Sequence, residues 1–88
     1  MKYTLTTWEV DKPEDGKVNL WLEAAYGYDS LTLARKAAQS NHAEGYGVCL
    51  YDADSLTVLE YGRMTAYQAK HAAAHKAYVL TVKDAVIL

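Results

Sequence analysis

Residues 46–61 read YGVCLYDADSLTVLEY, and the reading of this stretch decides the fold. Residues 46–51 and 56–61 are two short runs rich in Tyr, Val and Leu, joined by Asp52, Ala53, Asp54 and Ser55. Aromatic and β-branched side chains suit a pleated, half-buried surface, and a polar link of this length and chemistry predicts a tight hairpin. Turn formation also accounts for Asp52 and Asp54, because aspartate carboxylates bond the backbone of their own turns.

Outward from this hairpin, the same grammar repeats on the N-terminal side. Residues 2–10 are rich in Thr, Tyr, Trp and Val and read as a strand whose alternation slips between Leu5 and Trp8, the place for a bulge. Pro13 and Gly16 mark a turn over residues 11–16. Val18, Leu20, Leu22 and Ala24 then alternate with Asn19, Trp21 and Glu23, which predicts a second strand paired to the first. After Gly27, Asp29 or Ser30 is placed to cap a helix with Leu31, Ala34 and Ala38 at helical spacing, and Gly45 or Gly47 is placed to end it.

On the C-terminal side, Gly62 breaks the strand, and Thr65 with Gln68 three positions on forms a capping box. A second helix is expected from there to about Tyr78, with Ala66, Ala69, Ala73 and Ala77 as its buried stripe. Residues 79–82 read as a fifth, edge strand, and residues 86–88 as an apolar tail that must dock. The expected architecture is one α+β domain over residues 1–88: an antiparallel sheet of four to five strands with two helices on one face, in the order ββαββα with a terminal β segment. The halves also echo each other, with Ser30, Ala34, Arg35 and Ala38 matched by Thr65, Ala69, Lys70 and Ala73.

At 88 residues and 51% hydrophobic the chain suits one core. No apolar run approaches the roughly 20 residues that cross a bilayer, so a cytoplasmic protein without membrane contact is expected. The single cysteine, Cys49, sits between Val48 and Leu50 and reads as a buried, inert thiol. Eight tyrosines and two tryptophans stand against no phenylalanine, a composition that fills half-buried strand positions and also suits contact surfaces. Residues 1–60 carry ten acids and five bases, and residues 61–88 four bases and one acid, so an acidic and a basic side are expected.

Two candidate surfaces follow. On or beside the second helix, Arg63, Tyr67, Lys70, His71, His75, Lys76 and Tyr78 mix positive charge with aromatic rings. Around the first hairpin, Glu9, Asp11, Glu14, Asp15 and Glu23 form an acidic patch that suits a basic groove. His71 and His75, four apart on a helix, would share a face and could share a metal. The residues between them are alanines, and a third ligand from His42, Asp52 or Glu60 is not specified by spacing, so no metal or cofactor is assigned. Gly45 and Gly47 precede a strand, whereas a phosphate-cradling loop precedes a helix. No paired carboxylates, nucleophile elbow or zinc-protease motif is present, and an enzyme is not expected.

The segment Glu23, Ala24, Ala25, then Asp29, Ser30, Leu31, Ala34, Arg35, Lys36 and Ala38, followed by the hairpin of residues 46–61, resembles small αβ proteins encoded by phages. Over residues 18–61 it is similar in size and grammar to type I anti-CRISPR inhibitors. The resemblance implies an inhibitor that binds a CRISPR surveillance complex stoichiometrically and catalyses nothing. That class shares no motif, so no residue role carries over.

The leading expectation is therefore a non-enzymatic protein-binding module whose partner is a nucleic-acid-processing complex. Nucleic-acid binding through the basic second helix and a metal-dependent activity at His71 and His75 are the alternatives. A homodimer through the terminal edge strand and tail is open.

Overall fold

The hairpin of residues 46–61 is the centre of the molecule. In the computed structural model, which describes residues 1–13, 16–75 and 78–88, it forms strands β3 (Gly47–Asp52) and β4 (Thr57–Gly62). Its turn is closed by Asp52, whose Oδ1 accepts the backbone N–H groups of Asp54 (2.9 Å) and Ser55 (3.0 Å). The Ser55 and Asp54 amides hold the Asp52 carboxyl below its ordinary range. The other elements are β1 (Tyr3–Asp11), β2 (Asn19–Tyr28), α1 (Leu31–Ala43), α2 (Ala66–Lys70) and β5 (Thr81–Ile87). They form an α+β domain in the expected order, around one five-stranded sheet ordered β2-β1-β3-β4-β5.

Alternation along β3 separates two cores. Val48 and Leu50 point to one face, where Leu5 of β1 and Ala34 and Ala38 of α1 complete a fully buried cluster. Cys49 and Tyr51 point to the other, with Val58, Tyr61, Ala69, Ala72 and Leu80. Small residues bring each helical segment close to the sheet. The two helices thus lie on opposite faces, which corrects the single-face expectation: two alanine stripes look alike in sequence, whereas β2-α1-β3 and β4-α2-β5 join strand pairs that run in opposite directions, and crossovers of one hand between them fall on opposite faces. Ser30 is the α1 N-cap, its side chain accepting from Leu33 N, and Gly45 past the C-terminus has φ 102°. Gly62 is required where α1 ends against β4, since a Cβ there would lie 2.6 Å from the His42 ring.

Three further differences have physical causes. β5 runs parallel to β4, so the sheet is mixed, and the 18 residues between these strands supply the crossover that parallel neighbours need. β5 also takes in residues 86–87, which the sequence reads as a tail. The second helix stops at Lys70, well short of Tyr78. The capping box starts it as expected, with Thr65 and Gln68 exchanging both bonds. The carbonyls that would continue it are taken elsewhere: Lys70 O accepts from Leu80 N (2.7 Å) and Ala72 O from the Thr6 hydroxyl (2.8 Å). Tertiary partners for the backbone thus outcompete a run of good helix formers.

Candidate binding surface

The sheet face that carries α2 continues past that short helix. Trp8 is opposite Leu22 and Val10 opposite Leu20, and Trp8 and Val10 are two apart, so Trp8, Leu20 and Leu22 extend the same face along the β1–β2 arm. Between this face and residues of α2 and of the described chain after it, Tyr67 to Ala74 with Tyr78 and Val79, runs a groove of three adjoining depressions, about 260, 200 and 400 Å³, each bordered by Trp8, Leu20 and His71. Tyr67, Tyr78 and Val79 supply its outer wall and are 73%, 46% and 63% exposed.

The walls are tied together over long sequence separations. Gln68 Nε2 donates to Val18 O at one end (2.8 Å). Thr6, fully buried on the interior strand β1, donates its hydroxyl to Ala72 O and accepts the Trp8 indole N–H (3.0 Å). That one hydroxyl therefore positions both the floor tryptophan and the segment that leads to the outer wall. His71 caps α2, and its Nδ1 lies 2.9 Å from Tyr67 O. A carbonyl only accepts, so Nδ1 carries the proton. The imidazole also rests against the Tyr67 ring, centroids 4.7 Å apart.

Among the described residues, no Asp, Glu, Lys or Arg lines any of the three depressions. Aromatic rings with polar tips over an uncharged trough recognise apolar and aromatic side chains, the composition of a protein-contact core.

The expected basic surface is only partly assembled. Tyr67, His71 and Tyr78 meet at the groove, and Lys70 is exposed at the last turn of α2. His75 does not join His71. With α2 ending at Lys70 the four-residue spacing loses its helical meaning, and His75 lines a separate depression of about 360 Å³ with Thr4, Tyr51 and Asp54. Among the described residues no three His, Cys, Asp or Glu side chains group to hold a metal. Arg63 sits at φ 57° and turns to α1, where Nη2 (3.0 Å) and Nε (3.3 Å) donate to His42 O. Lys76 lies outside the described residues.

Of the acidic patch, Glu9 and Asp11 share the α1-side face with Thr7, the face opposite the groove. Glu23 accepts a hydrogen bond from the Thr7 hydroxyl. Glu14 and Asp15 lie outside the described residues. Burial pushes the Cys49 thiol up to about 12, which suits an inert core sulfur. Glu60, 3% exposed, faces Arg35 of α1 at 3.4 Å, and its Oε2 has no hydrogen-bond partner. Burial pushes its carboxyl up, and the Arg35 charge pulls the other way.

Trp8, Leu20, Leu22 and Val79 carry the groove, and sequence reasoning did not single them out. Their signal was an apolar alternation extending along β1–β2 beyond what two alanine-faced helices could cover. No helix of the described residues is long and apolar enough to cross a membrane. No family model matches the chain, and neither does any curated protein or solved structure with which it was compared.

Proposed function

We propose that this domain is a protein-binding module that works by seating an apolar, aromatic-bearing segment of a partner in the groove of Trp8, Leu20, His71, Tyr78 and Val79. The observation that carries this reading is the uncharged, solvent-open aromatic trough, tied to the sheet by the Thr6–Ala72 and Gln68–Val18 hydrogen bonds. Interface cores are depleted in charge and enriched in Tyr and Trp, and contiguous exposed apolar surface on a small domain marks an interaction site.

A finer form makes the domain a cytoplasmic phage-type inhibitor that occludes a surface of a CRISPR surveillance complex. It rests on the resemblance over residues 18–61 and on the opposite faces of the β1–β2 arm, one carrying Glu9 and Asp11 and the other the groove.

The test is retention of partners from a bacterial lysate, with and without nuclease, by the wild type and by Val79→Asp. Val79 is largely exposed, so the variant keeps its core. A defined protein retained in both nuclease arms and lost with Val79→Asp is expected. Recovery that vanishes with nuclease, or that ignores Val79→Asp, overturns the reading. For the finer form, purified domain should lower target-DNA binding by a type I surveillance complex; undiminished DNA binding removes that form alone.

A further inference from the structure

A strand that ends a sheet presents a row of unpaired N–H and C=O groups, and natural sheets blunt such edges with lysine, proline, bulges or charge. The two edges here differ. β5 is interrupted: the register jumps from Val58 opposite Val82 to Glu60 opposite Val86, and the displaced stretch holds Lys83 and Asp84, the latter at φ 57°. β2 runs ten residues without Lys, Arg or Pro. Its one charge, Glu23, is drawn back to the Thr7 hydroxyl of its own sheet.

The bulge gives β2 a symmetry of its own. Trp8 is opposite Leu22 and Thr7 opposite Ala24, so Glu23 is the extra residue and the faces switch there. Before it, Leu20 and Leu22 face the groove side and Trp21 the α1 side; after it, Ala25 and Gly27 face the groove side and Tyr26 and Tyr28 the α1 side. A second β2 laid antiparallel, with a two-fold axis between Glu23 and Ala24, then matches faces over the whole strand. Trp21 meets Tyr26 of the partner subunit, Leu22 meets Ala25, Leu20 meets Gly27, and Asn19 meets Tyr28. In an unbulged strand of ten residues, the same full overlap would set every pair on opposite faces. Trp21 and Tyr26 are 54% and 44% exposed, and each dimer would join them twice as cross-strand aromatic pairs.

We infer that two copies of this chain pair antiparallel through the free edge of β2, in the register that sets Trp21 of one against Tyr26 of the partner subunit, to make one continuous sheet. The one opposing element is Glu23, whose two carboxylates approach near the axis. The inference does not depend on the groove reading: it uses the outer backbone edge of β2, whereas the groove uses the sheet face, where Val79 shares a depression with Leu20 and Trp21 borders the neighbouring one.

The test is sedimentation of the wild type, Trp21→Lys and Glu23→Gln, with oxidation of the double variant Trp21→Cys/Tyr26→Cys. Positions 21 and 26 of one strand stand roughly 16 Å apart, beyond disulfide reach, so a bond between them joins two chains. Expected are a wild-type dimer, about tenfold weaker pairing in Trp21→Lys, tighter pairing in Glu23→Gln, and a covalent dimer from the double variant but from neither single cysteine. A wild type that stays monomeric at about 100 μM overturns the inference. So does a dimer indifferent to Trp21→Lys and dispersed by Ile87→Lys on β5.

Discussion

Replacing Thr6 with valine keeps a β-branched side chain on the interior strand β1 and deletes one hydroxyl. The deletion leaves Ala72 O, in a residue 1% exposed, without its 2.8 Å donor and removes the acceptor of the Trp8 indole N–H. A buried unpaired carbonyl costs about 1–3 kcal/mol, whereas half-buried Trp8 can recover part of its loss from water, so the total should be about 2 kcal/mol. For a domain of this size, whose urea dependence is about 1 kcal/mol/M, the unfolding midpoint should fall by about 2 M. Thr6→Ser retains the hydroxyl and loses only a methyl group, and should cost about half as much. Equilibrium urea unfolding followed by circular dichroism measures both. In a Trp21→Phe background, the emission of Trp8 reports the groove floor. A loss below about 0.5 kcal/mol for Thr6→Val, the size of an ordinary surface change, would refute the idea that this hydroxyl holds the segment after α2 against the sheet.

Glu60 makes a prediction whose sign follows from burial. A carboxyl raised in the folded state contributes stability that is fully present below its unfolded pKa and is lost as pH rises through the folded one. Glu60→Gln should therefore match or exceed the wild type at pH 7, by up to about 1 kcal/mol, and lose that advantage near pH 4; a clear loss at pH 7 in urea unfolding would mean the Arg35 pair outweighs desolvation. Cys49 should resist a thiol reagent at pH 8 in the native protein and react only on unfolding, and rapid native labelling would contradict its burial. Arg63→Ala should lower stability by about 1 kcal/mol through the lost bonds to His42 O, an unchanged melting temperature being the contrary result.

What could be read locally was read well. Ser30, one of the two N-cap candidates with Asp29, the Thr65–Gln68 capping box and the Asp52 turn each satisfy backbone donors within three residues, so their signals are local in sequence. The errors share a cause. The end of α2 depends on Thr6 and Leu80, partners 66 and 10 residues away from the carbonyls they engage, and Ala72–Ala74 reads as helix without them. The slip between Leu5 and Trp8 marks the bulge, and the register does shift between Thr7 and Trp8; what is hidden is that the extra residue is Glu23 of the facing strand, because the polar–apolar alternation of residues 18–24 stays unbroken while the faces switch beneath it. Parallel β5 likewise has no short-range mark distinguishing it from an antiparallel edge. Of the candidate surface, Tyr67, His71 and Tyr78 were found through their chemistry. Trp8 and Leu20 escaped because their pattern is that of any half-buried strand, and only the shortness of α2 leaves them open.

Amide hydrogen exchange of the domain, alone and bound to the partner it retains, asks where that partner sits. Slowed exchange gathered in peptides covering residues 18–22 and 67–80, with α1 unchanged, is the result expected of a partner seated in the groove. Slowing confined to α1 or to the face carrying Glu9 and Asp11, with residues 67–80 exchanging as in the free domain, would contradict it.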